Sequence, residues 1–272
     1  HSEADMNLND PKPLYNKLTD TYLAWTSPSG MKIKVGKQSA PFTLGGSTSS
    51  KKLYTFERGK IASNIWFSNE YHSGLTFSGK KDRWEYFTGI YSSDLGPEFD
   101  EAFDYGCFYI FSLGQNFKES LQMDNALVRF DYVKQQEDAL SQTPPHKNVV
   151  SLVTKFEKEN MHLWTDLSLS DGYGSQSDLF GLQFMPFYDI TDKTQAVFSY
   201  TYLKSSEGDG IKLTKYEKDL YNGKGNEVSE SFLGINHFFY GHKLKWQSAI
   251  QYTDMETSSS SAKYDGWGFT SG

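Results

Sequence analysis

The chain has 272 residues, 27 Lys and Arg against 34 Asp and Glu, and a formal net charge of -7, a balance that excludes the basic surface needed to displace counterions from nucleic-acid phosphates. Aromatic residues make up 16% of the chain while all hydrophobic residues together reach only 37%, so rings are abundant and aliphatic core formers scarce, as suits strands with one apolar and one wet face. No run of about 18 apolar residues exists, which excludes a transmembrane helix but leaves open a β-barrel, in which lipid-facing residues alternate with lumen-facing ones.

Alternation predicts thirteen strands. Leu18–Trp25 and Met31–Lys37 pair across the turn Thr26-Ser27-Pro28-Ser29-Gly30, and in the second strand Met31, Ile33 and Val35 alternate with Lys32, Lys34 and Gly36. A 28-residue connection, Ser39–Trp66, follows. It is too long for a turn, and Lys51, Lys52, Arg58 and Lys60 stand there against the single acid Glu57; a loop of that length inside a β region is expected to be functional. Strands are then expected at Glu70–Ser78, Arg83–Tyr91, Tyr105–Leu113 and Ala126–Val133, the last placing Arg129 on the face opposite Val128 and Phe130. Val149–Phe156, which carries Lys155, pairs with Met161–Leu169, where Met161, Leu163, Thr165, Leu167 and Leu169 face lipid or core and His162, Trp164, Asp166 and Ser168 lie opposite. Asp178–Tyr188 pairs with Gln195–Leu203, and Ser231–Tyr240 with Lys243–Tyr252, whose polar face begins with Lys243 and Lys245; Trp267–Gly272 starts one more strand.

Short and long connections take turns along the chain, short at 26–30, 79–82, 157–160, 189–193 and 241–242, long at 38–69, 92–104, 134–148, 204–230 and 253–266. An up-and-down meander has this rhythm when one end carries turns and the other elaborated loops; a Greek-key sandwich has no reason to keep it, and no propeller repeat is present. Rings gather near strand ends, among them Trp25, Trp84, Tyr86, Phe184, Phe187, Tyr202, Tyr240 and Trp246, the positions of aromatic girdles in a membrane barrel.

Gly36–Ile65, GKQSAPFTLGGSTSSKKLYTFERGKIASNI, resembles the signature of the phosphate-selective porin family, porins O and P, in Gly36, Lys37, Pro41, Phe42, Leu44, Thr48-Ser49-Ser50 and Glu57-Arg58. The resemblance implies an outer-membrane up-and-down antiparallel β-barrel of sixteen strands, homotrimeric, surrounded by lipid and lipopolysaccharide, whose third loop folds inward after strand 5 as a constriction. Here that loop follows the second strand, so the expectation is a single barrel domain, 1–272, lacking its first three strands and the end of its last. No signal peptide is visible from His1, which fits either a mature start or an incomplete sequence.

The family's anion-contacting cluster maps onto Ser49, Ser50 and Lys51, with Lys52, Arg58 and Lys60 as further constriction residues; Lys32, Lys34, Arg129, Lys155, Lys243 and Lys245 are the expected pore lining. Two departures bear on the solute. Gly46 stands where the family has a second lysine, and the chain has only Arg58, Arg83 and Arg129 where the family has an arginine ladder. Lysine lacks the planar fork that suits phosphate, so passage of small ions and solutes with a general or mildly anion-favouring character is expected.

Other constellations have plainer readings. The acidic run Asp94, Glu98, Asp100, Glu101 and Asp104 lacks EF-hand spacing and reads as a solvated loop. His237 and His242 are two ligands short of a zinc site. No Gly-x-Ser-x-Gly elbow is present, so no hydrolase is expected, and no cofactor. The lone Cys107, beside Phe108, Tyr109 and Ile110, reads as a packed strand position, while Gly208–Gly225 and Ser258–Ser261 read as mobile loop tips. The competing reading is a secreted, soluble β-sheet binding or adhesion protein, which would also use many aromatics and acidic loops.

Overall fold

The computed structural model of the protein describes residues 2–3, 17–67, 71–99, 102–221, 223–258 and 263–272; the expected strand start at Glu70, the acids Asp100 and Glu101, and most of the Ser258–Ser261 tract lie outside these. Thirteen strands form one antiparallel sheet in which each strand pairs with its neighbours in the chain: β1 Thr21–Thr26, β2 Lys32–Gln38, β3 His72–Lys81, β4 Trp84–Ser92, β5 Cys107–Asn116, β6 Asn125–Gln135, β7 His146–Lys158, β8 Met161–Gly172, β9 Leu179–Thr191, β10 Thr194–Ser205, β11 Glu227–Phe238, β12 Lys245–Glu256 and β13 Lys263–Ser271. Eleven of the thirteen strands have nine residues or more, enough to cross a bilayer with the roughly 9–11 tilted residues it takes. Most run further than alternation alone suggested, because hydrogen-bonded pairing continues past the last apolar residue into the polar ends; the first is shorter, starting at Thr21 instead of the expected Leu18.

The expected rhythm of connections is present up to β11; the connection expected to be long at 253–266 spans only 257–262, no longer than the 239–244 turn before it. Residues 82–83, 159–160 and 192–193 are two-residue turns at one end, while 39–71, 93–106 and 206–226 are long connections at the other. Asp82 and Glu159 take positive φ, 53° and 52°, as tight hairpins require. One turn displaces a sequence expectation: the chain leaves β11 at Phe238 and re-enters the sheet only at Lys245, so Lys243 sits in the turn.

The two faces of the sheet are inverted relative to a water-soluble protein. On β9, Phe180, Leu182 and Phe184 are exposed while Gly181, Gln183 and Met185 are buried. The same holds around the sheet: Leu169, Leu233, Ile235 and Phe269 are about half exposed or more, whereas Ser151, Asp166, Thr201 and Asn236 are buried. β8 follows the expected split, with Leu167 and Leu169 outside and Trp164, Asp166 and Ser168 inside. Phe187 departs from the expected girdle; it points inward, edge-on to Trp164 at 5.4 Å between ring centroids.

The inner face is occupied by the connection after β2, and the core of the molecule lies between that loop and the wall. Ala40, Phe42, Ile61, Ile65 and Phe67 of the loop pack with Tyr91, Phe108, Ile110, Val149 and Leu203 of the wall. Leu44 packs with Val153, Trp164, Met185, Val197 and Phe232. Two loop expectations are corrected. Asp94 is buried, accepting from Ser92 Oγ at 2.6 Å and Tyr105 N at 3.0 Å, so it staples its loop instead of solvating it. The described residues between 208 and 225 are folded: Ile211–Lys212 pairs with Lys224–Gly225, and Ile211 and Leu213 are buried.

Candidate functional site

The loop enters at the end of β2, where Gln38 Nε2 donates to Gly74 O at 3.2 Å and Gln38 Oε1 accepts from Thr76 Oγ1 at 2.9 Å. Phe42 then inserts edge-on against Phe67 at 5.2 Å, and a four-residue helix, α1 Leu44–Ser47, begins. Its leading N–H groups meet wall carboxylates: Thr43 N donates to Asp131 Oδ2 at 3.0 Å and Leu44 N to Asp166 Oδ2 at 2.6 Å. Free amides at a helix start are natural partners for anions. Both carboxylates are themselves held, Asp131 by a bidentate Arg129 with both contacts at 2.8 Å, Asp166 by Ser151 and Ser168 hydroxyls at 2.9 and 2.6 Å. Arg129 completes the clasp by donating to Thr43 O at 3.1 Å and Ser47 Oγ at 2.9 Å.

The loop reaches across to the opposite end of the sheet. Leu53 O accepts from Lys245 Nζ at 2.5 Å, and Tyr54 O accepts from Asn236 Nδ2 at 3.0 Å and Gln247 Nε2 at 3.2 Å. The Tyr54 ring lies against Trp164, Phe187 and His242, at 5.2, 4.6 and 5.4 Å. Burial, with a smaller push from Glu157 and Asp189, raises its phenol to about 12.

The return limb is pinned from within. Arg58 donates from Nε to Gly45 O at 3.0 Å and from Nη2 to Thr48 O at 3.2 Å, and its guanidinium lies 4.8 Å from the Trp66 ring centre. Trp66 Nε1 donates to Ala40 O at 2.8 Å, and the indole covers Gly46 so closely that a Cβ there would lie 2.4 Å from the ring. Helix α2, Lys60–Asn64, ends the loop. Lys60 Nζ is paired with Glu217 and donates to Thr214 Oγ1 at 2.8 Å, with Glu230 at 3.8 Å. His146 Nε2 donates to Asn64 O at 2.9 Å.

The residues expected at the constriction separate into two groups. Ser49, Ser50, Lys51 and Lys52 are exposed, the last three forming one 3-10 turn. Arg58 and Lys60 instead hold the loop together. Among the residues expected along the pore, Lys32 and Arg129 border one cavity of about 460 Å³ with Ser47 and Ser112. Lys34 lies 4.1 Å from the Tyr22 ring centre and Lys155 4.0 Å from that of Trp164. Lys245 is engaged by the loop. Lys243, in its turn, sits 5.4 Å from the ring centre of Tyr240 and is not brought to the others. Among the described residues no group of three or more His, Cys, Asp or Glu could hold a metal.

A polar, loop-narrowed interior inside an apolar exterior is the arrangement of a tube with water within and hydrocarbon without. The model of the family described as phosphate-selective porin O and P matches residues 2–152, more than half of the chain. The chain belongs to that family. No curated protein matches it. Among solved structures it is similar to OprB of Pseudomonas putida, with a TM-score of 0.61 and 12% identity over 87% of this chain and 68% of that one. It is similar also to OmpT of Vibrio cholerae, at 0.57 and 14% over 90% and 76%, and to the outer membrane channel DcaP of Acinetobacter baumannii, at 0.52 and 13% over 88% and 70%. At such identities the likeness is one of fold.

As a porin of this family, the protein is a bacterial outer-membrane β-barrel forming a water-filled channel for passive diffusion of small ions and solutes. Sequence reasoning found the porin's inward loop and missed the residues that seat it: Asp131, Asp166, Glu217 and Tyr54. A signal for two of them was available. Asp131 and Asp166 are lone acids in the middle of strands on the polar face, and an acid in that position needs a donor. Glu217 and Tyr54 left no local trace.

Proposed function

We propose that this porin is a general small-solute channel with a mild anion preference, set by Lys51 and Lys52 with the hydroxyls of Ser49 and Ser50 at the narrowing, and by Lys32, Lys34 and Lys155 along the wall. The observation that carries it is a difference in pairing. Lys51 and Lys52 are exposed and have no ion-pair partner among the described residues, while Arg129 is neutralised by Asp131 and Lys60 by Glu217. Unpaired cations beside a narrow aqueous path attract anions and replace part of their hydration. Phosphate preference is not part of this reading: the one inward arginine of the wall is committed to Asp131, and lysine offers no fork for bidentate oxyanion contacts. The assembly it takes is a homotrimer in lipid and lipopolysaccharide, as the family resemblance implies.

Reversal potentials in a potassium chloride gradient across planar bilayers test it. The wild-type channel should favour chloride weakly, and the double variant Lys51→Glu, Lys52→Glu should favour potassium, with the permeability ratio moving by about tenfold. Strong cation selectivity of the unaltered channel refutes the reading.

A further inference from the structure

A second cavity, also about 460 Å³, lies on the interior beside β12 and β13, between the constriction loop and the 206–226 connection. Its volume is within the roughly 300–1,000 Å³ of small-molecule sites. The lining differs in kind from that around Lys32 and Arg129: Phe56 and Tyr264 supply rings, Gln251, Thr253 and Thr270 supply amide and hydroxyl groups, and Glu57 and Asp219 supply carboxylates, with no cation among them. Phe56 packs one side against the apolar cluster around Leu44 and Trp164, and Tyr264 packs against the cluster around Val228 and Met255, so both rings are fixed from behind. The Tyr264 ring lies along its own strand across Gly266, where a Cβ would stand 2.4 Å from the phenol oxygen. Glycine is therefore what lets the ring lie flat on the wall and present a face. The Gln251 amide is oriented too, donating to Glu230 Oε2 at 2.6 Å and Thr253 Oγ1 at 3.3 Å.

We propose that this cavity is a subsite for an uncharged, hydroxyl-rich solute of the size of a hexopyranose; the proposal rests on the channel reading above. Two fixed rings match the C–H faces of a sugar ring. The polar set mixes acceptors and donors, which a polyol satisfies from both sides, because each hydroxyl both donates and accepts. An organic amine, a donor only, would satisfy the carboxylates and leave the hydroxyl donors without partners. Among the described residues lining the cavity an anion meets no positive charge. Binding here has to be weak enough to release, as conduction requires.

The test uses the purified porin in planar bilayers with D-glucose as the probe. In the wild type, millimolar glucose should reduce the ionic current in a saturable way. Tyr264→Ala should raise the half-blocking concentration about tenfold. Because Tyr264 also supports the wall, Asp219→Asn and Thr270→Val, which alter the polar lining alone, are measured beside it and should each weaken block severalfold. A channel that conducts ions but shows no saturable block by glucose overturns the subsite, as does block that all three variants leave unchanged, or block by choline with none by glucose. Absence of any conductance is a different failure, that of the channel reading itself.

Discussion

Replacing Glu217 by Gln probes how the channel mouth is organised. Lys60 and Glu217 are 5% and 2% exposed, and they join the constriction loop to the 206–226 connection. Removing one partner of a buried pair costs about 3–5 kcal/mol, because the charge left behind stays in a poorly solvated place. Glu230, 3.8 Å from Lys60 Nζ, and the Thr214 hydroxyl remain as partial compensation, so the lower end, about 3 kcal/mol, applies. At about 1.4 kcal/mol per factor of ten, that raises the population of the undocked connection by roughly a hundredfold. Proteolysis of a locally opened segment follows the open population when closing is fast, so cleavage of the 206–226 connection in reconstituted vesicles should accelerate by about that factor. Anion preference should rise, since Lys60 keeps only the more distant Glu230 as a counter-charge. The double variant Lys60→Gln, Glu217→Gln should return cleavage close to the wild-type rate, and the cycle then reads the coupling. Unchanged cleavage and unchanged reversal potential in Glu217→Gln would refute the view that this pair closes the mouth and silences a cation.

The remaining predictions concern the loop's first limb and its tip. Gly46→Ala places a methyl against the Trp66 indole and should cost about 1–3 kcal/mol of loop docking, seen as larger and noisier single-channel conductance; Gly46→Lys should do the same more severely, and a quiet wild-type current from either would contradict the packing. Tyr54 carries its phenol raised to about 12 by burial. A group raised in this way contributes stability that is whole below its ordinary value of about 10 and is lost as pH climbs toward 12. Conductance should therefore increase between pH 10 and 12 as the loop tip undocks, and Tyr54→Phe should suppress that part of the increase; an identical profile in the variant would sink the assignment.

How far the structure could be read ahead depended on whether the cause was local. Period-two alternation in Met31–Lys37 or Met161–Leu169 is a property of neighbours, and there inside and outside were legible. Lys243 was lost by one turn, because alternation cannot tell a strand's first residue from a turn that happens to match it, and Gly241 at φ 52° delays β12 until Lys245. The loop's four cations looked equivalent in sequence. What separates Lys51 from Lys60 is an acid 157 residues away from Lys60, and nothing in a local window records it. Asp94 failed for the same kind of reason at shorter range: an acid among acids reads as solvated until Tyr105 N and Ser92 Oγ turn to face it.

The two wall carboxylates also impose an order of events. Thr43 meets Asp131 across 88 positions and Leu44 meets Asp166 across 122, so the loop has nothing to fasten to until β6 and β8 are both joined to β7 between them. Contacts of such separation form late, after the nearer hairpins have met the entropy of closing the chain between them. The wall is therefore raised as a wide tube and narrowed afterwards. Between those moments the assembling protein is a larger hole than the finished one, and Asp131 and Asp166 determine how long the membrane has to tolerate it.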